Sequence, residues 1–338
     1  MTGPGGTGPS GSGAGAAGAG GDAPGVSGPG AGGDGGRGTV LAVVGPTAAG
    51  KSALSIALAH ALGGEVVNAD SMQLYRGLDI GTAKLTPAER DGVPHHLLDI
   101  WEVTEPASVA EYQRLARAAI DDILARGRVP LLVGGSGLYV RAVLERFEFP
   151  GTDPALRERL EAELAASGPA PLYARLRAAD PVAAQGILPG NGRRIVRALE
   201  VIELTGAPFT AALPEPTPYY PSVQLGVDLD TAALDERIAL RVDRMWADGL
   251  VAETRELVGR GLPEGRTASR ALGYQQVLRL LAGELTDAQA RDETVRATRR
   301  FVRRQRSWFR RDPRIHWLDS AAPDLLAEAL RRAPAAAR

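Results

Sequence analysis

Thr39-Val40-Leu41-Ala42-Val43-Val44-Gly45-Pro46-Thr47-Ala48-Ala49-Gly50-Lys51-Ser52 is the stretch on which the fold turns. Its first six residues are a short β-branched, apolar run, which predicts a buried strand. The next eight match G-x-x-x-x-G-K-[ST], and the apolar segment Ala53 to Leu62 that follows predicts a helix. A glycine-rich turn between a strand and a helix lets backbone N–H groups converge on phosphate oxygens. The helix N-terminus adds a favourable dipole. In this pattern Gly45, Pro46, Thr47, Ala48, Ala49 and Gly50 form the cradle, and Lys51 supplies a point charge. The Ser52 hydroxyl can hold Mg2+. A purely structural glycine turn would need neither the lysine nor the flanking elements. The motif identifies a di- or triphosphate without identifying a reaction. The N-K-x-D signature of a GTPase base pocket is absent from the chain.

Outward from this point, Glu65-Val66-Val67-Asn68-Ala69-Asp70 reads as a second strand and Glu111 to Ala125 as an amphipathic helix stopped at Gly127. Val129 to Val133 reads as another buried strand, ending in Gly134-Gly135. Alternating strands and helices predict a parallel sheet covered on both faces. From Glu145 to Pro216 helical patterns dominate, and Val223 to Asp228 returns to the sheet. The expected division is a Gly/Ala/Pro-rich tail over 1–38, a first core segment over 39–144 and a helical insertion over 145–216. Core completion with basic helices over 217–320 and a C-terminal tail over 321–338 finish the chain. The first segment holds 18 of the 42 glycines. It has too little apolar surface to offset its ordering entropy, so disorder without a catalytic role is expected of it.

The 338 residues carry a net charge of −1, so overall charge does not announce a nucleic-acid binder. Zero cysteines exclude disulfides and cysteine-held zinc, which fits a reducing, cytoplasmic setting. No apolar run reaches membrane-spanning length, and the start has no secretory pattern. Charge is informative locally. Nine arginines and one acidic residue lie between Arg296 and Arg314, with Trp308, Phe309 and Trp317 among or just after them. Arginines contact phosphates and aromatic rings stack on exposed bases, while a solvated helix face is the plainer alternative.

Asp70 follows the second strand directly. Ligands of open α/β sheets lie beyond the carboxyl ends of strands, so Asp70 is placed to face the cradle and to accept a proton there, or else to cap a following helix. The glycines and the isolated Lys84 of Tyr75-Arg76-Gly77-Leu78-Asp79-Ile80-Gly81-Thr82-Ala83-Lys84 suggest a loop near the site. His95 and His96 have no evident third ligand for a metal. A small-metabolite kinase would need the same cradle and an acidic base.

These blocks, taken in order with His95-His96-Leu97-Leu98-Asp99-Ile100, Val133 to Tyr139, Arg193 to Glu200, Arg270 to Gln275 and Arg304 to Arg310, resemble the tRNA dimethylallyltransferases, also called isopentenylpyrophosphate:tRNA transferases. The resemblance runs from the cradle to Arg310 and is of the bacterial type, without a zinc-finger extension. It implies a P-loop NTPase-like α/β core with an inserted helical subdomain. It also implies transfer of a dimethylallyl group from dimethylallyl diphosphate to N6 of adenosine 37, in tRNAs reading codons that begin with U. A free-adenylate isopentenyltransferase shares the cradle and base, but the arginine blocks favour tRNA. By the same resemblance Asp70 is the general base. Ser136 stands at a family threonine position, Lys51 and Arg241 bind the diphosphate, and Mg2+ at Ser52 assists. The tRNA-facing residues would be Asp70, Ser71, Met72, Gln73, Ser136, Arg157, Arg193, Arg194, Ile195, Val196, Arg197, Arg270, Ala271, Leu272, Gly273, Tyr274 and Gln275. A monomer without membrane attachment is expected. Where the family has Pro-Asn-Asp before its arginine pair, this chain has Pro189-Gly190-Asn191-Gly192.

Overall fold

The computed structural model describes residues 1–3, 38–209 and 216–333. The expected tail over 1–38 lies almost wholly outside the described residues. In chain order the elements are β1 (Val40–Val44), α1 (Lys51–Leu62), β2 (Gly64–Asn68), β3 (His95–His96), α2 (Val109–Ala125), β4 (Val129–Gly134) and α3 (Gly137–Leu144). Four helices follow, α4 (Pro154–Ser167), α5 (Pro169–Ala179), α6 (Pro181–Gln185) and α7 (Gly192–Thr205). The chain then runs through β5 (Ser222–Asp228), α8 (Thr231–Ala247), α9 (Leu250–Gly259), α10 (Tyr274–Leu281), α11 (Asp287–Phe309), β6 (Ile315–Asp319) and α12 (Leu325–Arg332).

All described strand pairs are parallel, in the order β3-β2-β4-β1-β5-β6. Every residue of β1 is buried, as a central parallel strand with helices on both faces requires. Val44 is in register with Gly134 on one side and Gly226 on the other, and Asn68 with Val133. The carboxyl ends of β1, β2, β4 and β5 therefore lie level. From β1 the chain leaves toward β2, and after β4 it returns on the other side as β5. That reversal makes the crevice between β1 and β4 the natural ligand position of an open α/β sheet.

Local sequence explains the supporting helices. Ser108 caps α2 by accepting from the Glu111 N–H, and Tyr112, Ala116, Ile120 and Ile123 form its buried stripe at helical spacing. Helices α4, α5, α6 and α7 pack around a core of their own, built on Leu160, Leu172, Leu176, Ile187, Ile195 and Leu199. Asp153 and Asp180 cap two of these helices, each followed by proline at the first position.

Three features differ from the sequence reading. β6 completes the sheet beside β5. Its Ile315-His316-Trp317-Leu318-Asp319 sits among arginines that mask a weak edge-strand signal. β3 has only two residues, below what periodicity detects. The segment over 321–338 is not merely a tail, because α12 packs Ala329 into the same apolar cluster as Leu54 and Leu58 of α1. Residues 334–338 lie outside the described part.

Candidate active site

The phosphate loop connects β1 to α1. Gly45 has φ of +135°, and a side chain there would collide with the Val227 carbonyl of β5, so only glycine lets the turn begin so close to the sheet. Ala48 also adopts a left-handed conformation, with φ of +66°. Gly50, at +96°, precedes α1, whose N-terminus has no side-chain cap. Its first N–H groups are therefore left to a ligand or to water. Lys51 Nζ donates to the Pro46 carbonyl at 2.7 Å. Burial pulls the Lys51 ammonium down to about 8, with Asp70 and Asp228 opposing that pull and Arg241 adding to it. Arg241, on α8, donates to Thr47 Oγ1 at 3.1 Å, and burial and Arg244 hold its guanidinium below the usual arginine range. Two cations thus converge on the loop from α1 and α8.

Asp70 emerges from β2 in a tight turn. Its N–H donates to Asn68 Oδ1 at 2.9 Å and its Oδ1 accepts from the Met72 N–H at 3.0 Å. Ser136 stands in the turn from β4 into α3, and its Oγ makes no cap bond to that helix but accepts from the Ser71 N–H at 3.3 Å. Asp70, Ser71 and Ser136 are thereby held together above adjacent strand ends.

A cavity of about 500 Å³ opens over these ends. Thr47, Asp70, Ser71, Met72 and Ser136 line it from the sheet side, with Gly81 and Thr82 from the loop after β2. Ile238, Arg241, Val242 and Met245 come from one face of α8. Thr294, Thr298, Phe301, Arg304, Gln305 and Trp308 come from one face of α11, and Arg270, Ala271 and Leu272 complete the wall. Most of the surface that the cavity exposes is apolar, although about half of its lining residues are polar or charged. Tyr274 underlies this wall. Its buried hydroxyl donates to Glu253 at 2.5 Å and accepts from the Gly81 N–H at 3.0 Å, and burial raises its pKa far above the ordinary phenol value.

Of the residues singled out by sequence, the cavity gathers Thr47, Asp70, Ser71, Met72, Ser136, Arg241, Arg270, Ala271 and Leu272. Gln73 instead donates to the Thr82 carbonyl, and Gly273 and Gln275 flank the buried Tyr274. Arg157, Arg193, Arg194, Ile195, Val196 and Arg197 belong to the helical insertion. Ile195 and Val196 are inside its core. Arg157 and Arg197 both pair with Glu200, a carboxylate with no exposed surface. Arg197 also donates to the Pro150 and Gly151 carbonyls. Arg193 and Arg194 are exposed. Lys84 ties the loop to the fold rather than to the cavity, through Asp79 at 2.7 Å and Asp99 at 2.5 Å. His96 bonds to Glu65 at 2.7 Å and His95 to the Val93 carbonyl at 2.8 Å.

Sequence reasoning gives no site role to Gln305, Met245 or Phe301, and it names Trp308 only as a base-stacking ring of the basic stretch. Gln305 and Trp308 belong to the Arg304 to Arg310 block, and helical spacing from Thr294 and Thr298 places them with Phe301 on one stripe. An uncharged glutamine on an otherwise arginine-rich helix is the one trace in the sequence, and its burial appears only in the fold.

A sequence model of the family described as IPP transferase matches residues 73–312. A tRNA dimethylallyltransferase of Salinispora arenicola is 86% identical over 301 residues, covering 89% of this chain and 88% of that protein. The tRNA dimethylallyltransferase of Thermobifida fusca is 68% identical over 86% of this chain and 93% of its own length. Among solved structures, a full-length tRNA isopentenylpyrophosphate transferase of Bacillus halodurans superposes with a TM-score of 0.65 at 42% identity, covering 87% of this chain and 93% of that one. A eukaryotic dimethylallyltransferase acting on tRNA superposes with a TM-score of 0.74 at 27% identity, covering 87% and 77% respectively.

Proposed function

The chain belongs to the IPP transferase family, and from that premise we infer that it is an enzyme transferring a dimethylallyl group to tRNA, with the chemistry placed in the cavity above β1, β2 and β4. The observation that carries the site assignment is the convergence of Asp70 and Ser136 with Thr47 and Arg241 on one cavity.

In this reading dimethylallyl diphosphate lies on the cradle, and an adenosine flipped out of the anticodon loop, adenosine 37, presents its N6 amine to Asp70. That amine is a weak nucleophile because its lone pair is delocalised into the ring. Asp70 takes the N6 proton as N6 bonds to C1 of the dimethylallyl group and the C1–O bond to diphosphate breaks. Charge accumulates on the departing diphosphate. Lys51, Arg241 and the α1 N-terminus are placed to stabilise it most strongly in the transition state. Ser136 orders the Ser71 backbone beside Asp70.

For Mg2+ the donor set fits a hard, largely substrate-held ion. Ser52 offers one exposed hydroxyl oxygen at the head of α1, and no cluster of three or more His, Asp or Glu side chains suited to a metal exists among the described residues. Bound there, Mg2+ would add positive charge to the diphosphate. The partners in this reading are tRNA and dimethylallyl diphosphate. No helix among the described residues is long and apolar enough to cross a membrane; a cytoplasmic setting and a monomeric state are part of the proposal.

The test is direct. Unmodified tRNA incubated with the protein, Mg2+ and dimethylallyl diphosphate should yield N6-(dimethylallyl)adenosine in nuclease digests read by mass spectrometry. Phosphoryl transfer from ATP to a small molecule, with tRNA left unmodified, would instead support the kinase alternative.

A further inference from the structure

Helix α11 carries a side chain that neither the cradle nor the base accounts for. Gln305 is 5% exposed, and its amide makes two long-range hydrogen bonds in opposite directions. Oε1 accepts from the Thr47 N–H of the phosphate loop at 3.0 Å. Nε2 donates to the Gly135 carbonyl, in the turn that delivers Ser136, at 2.9 Å. A primary amide accepts at its oxygen and donates at its nitrogen within one rigid plane, and it does so without carrying charge. It fits the two backbone groups it meets. The approach on the Gly135 side is close enough that a methyl group on Gly135 would collide with Gln305 Nε2, so the turn has been kept bare where the amide lies against it.

The two segments joined are those that the reaction must hold in register. Thr47 lies in the cradle and meets Arg241 through its hydroxyl. Gly135 and Ser136 stand at the end of β4, and Ser136 fixes Ser71 next to Asp70. β1 and β4 are hydrogen-bonded as far as Val44 and Gly134, and beyond those residues the sheet ladder no longer sets the spacing. Gln305 supplies the cross-link there, from a third element.

We propose that Gln305 is a positioning residue for prenyl transfer, its amide fixing the distance between the diphosphate-binding loop and the Asp70–Ser136 pair that receives the nucleoside. This rests on the assignment of the cavity made above. Gln305 lines the cavity, but both ends of its amide are engaged by backbone groups of the protein. It acts through Thr47 and Gly135, so its removal misaligns the carbon and the amine while leaving each substrate's own binding groups in place. A misplacement of about 1 Å between reacting groups lowers turnover by roughly 100-fold.

The experiment is a double-mutant cycle on the full chain with Gln305→Met, which keeps the side chain's length and removes both hydrogen bonds, and Gly135→Ala, which pushes on the same bridge from the other end. Steady-state kinetics with each substrate, tRNA binding and thermal melts are read for all four proteins. Each single variant is expected to lose about 100-fold in kcat, with KM for dimethylallyl diphosphate and for tRNA within about threefold of wild type. The double variant is expected to fall no further than the worse single variant, because both changes break one connection. Independent, multiplicative losses would overturn the proposal, as would a Gln305→Met enzyme that keeps half or more of the wild-type kcat. Losses that follow the melting temperature, or that fall on KM alone, would assign Gln305 a purely structural or binding role and also overturn it. If Gln305→Met fails to fold, Gly135→Ala alone decides: a kcat loss with unchanged KM supports the bridge, and unchanged kcat overturns it. Wild-type protein unable to prenylate tRNA would overturn the underlying site assignment, an outcome distinct from an active wild type with an equally active variant.

Discussion

The crevice above the sheet and the helical insertion both carry arginines and carboxylates, but they arrange them in opposite ways. At the crevice, Lys51 at the head of α1 and Arg241 in the cavity wall are drawn out of water, and burial lowers the pKa of both. In the insertion, cations are matched to carboxylates of the protein itself. Arg157 and Arg197 meet Glu200, Arg159 meets Glu203 at 2.5 Å, and Arg175 meets Glu163 at 3.0 Å. The basic helix α11 lies between these extremes. Arg306 and, just past the helix, Arg310 share the single carboxylate Asp228, and Arg296 pairs with Asp292, while Arg300, Arg303 and the following Arg311 are exposed. A count of arginines is therefore a poor guide to where an anion binds. The better guide is a cation held in a low-dielectric place next to open space, because its desolvation is offset only when a ligand arrives.

The sharpest way to break this contrast is at Asp70, the one carboxylate of the crevice proposed to work as a base. Asp70→Asn retains the acceptor for the Met72 N–H and loses the basic oxygen. Turnover should fall by about 1,000-fold, within the range typical of a removed general base, while dimethylallyl diphosphate binding stays near wild type. Single-turnover rates alongside calorimetric titration measure both quantities, and a variant within tenfold of the wild-type rate would remove Asp70 from the chemistry.

The cations come next. Lys51→Met and Arg241→Met should each lower kcat by roughly 100-fold and weaken the diphosphate more than tRNA. Lys51 also gives the crevice a signature in pH. Its free ammonium lies at about 8, and a bound diphosphate favours the charged form and so raises that value. Affinity is then fully present below pH 8 and is lost as pH rises above it, by about tenfold at pH 9, with a proton taken up on binding. Titrations in buffers of different ionisation enthalpy count that proton. Lys51→Arg should erase the pH step between 7 and 9, and a step that persists in that variant would place the titrating group elsewhere.

In the insertion the same kind of substitution should act on stability. Burial by itself would raise the Glu200 carboxyl, but the guanidiniums of Arg157 and Arg197 outweigh it and hold the carboxyl below its ordinary value. A depressed carboxylate stabilises the fold above its unfolded pKa, and that contribution disappears as pH falls through the folded value. Glu200→Gln leaves two guanidiniums without their buried partner and should cost about 2 kcal/mol, less than a fully buried pair would because both arginines keep some exposure to water. Thermal melts at neutral pH should show the loss, whereas prenyl transfer below the melting range should be nearly unaffected.

How much of this is legible in the sequence follows from the range of the interactions. The phosphate loop, β1 and the place of Asp70 depend on residues within a few positions of one another, and glycine spacing and an apolar run reveal them. The capped helix α2 is legible for the same reason. β6 is not, because it is an edge strand whose place depends on β5 nearly a hundred residues earlier. Three arginines sharing a turn of α7 make Arg197 look like an RNA-binding residue. In the structure it pairs with Glu200 of the same helix, and that pairing is shared with Arg157 of α4 and joined by the Pro150 carbonyl, which no local pattern contains. Gln305 escapes a local reading in the same way. Its partners Thr47 and Gly135 lie 258 and 170 residues away.

The smallest effect is also the one that sharpens the contrast within a single helix. Arg193, Arg194 and Arg197 occupy one turn of α7, but the structure separates them. Arg197 is bound into the Glu200 cluster, and Arg193 and Arg194 are exposed at the start of the helix. If the exposed pair grips the anticodon stem-loop, each arginine on a phosphate releases a counterion and contributes to the salt dependence of binding. Replacing Arg193 and Arg194 by alanine should weaken tRNA binding several-fold at low salt and reduce the slope of log affinity against log salt by about one unit for each phosphate no longer neutralised. Arg197→Ala should do the reverse, lowering the melting temperature while keeping the wild-type slope, because its charge is already compensated inside the protein. Filter-binding titrations at four or five salt concentrations, paired with melts, separate the two classes. An unchanged slope in the Arg193/Arg194 variant would mean that this end of α7 does not touch the RNA backbone, and the tRNA-binding face of the insertion would then have to be sought elsewhere on its surface.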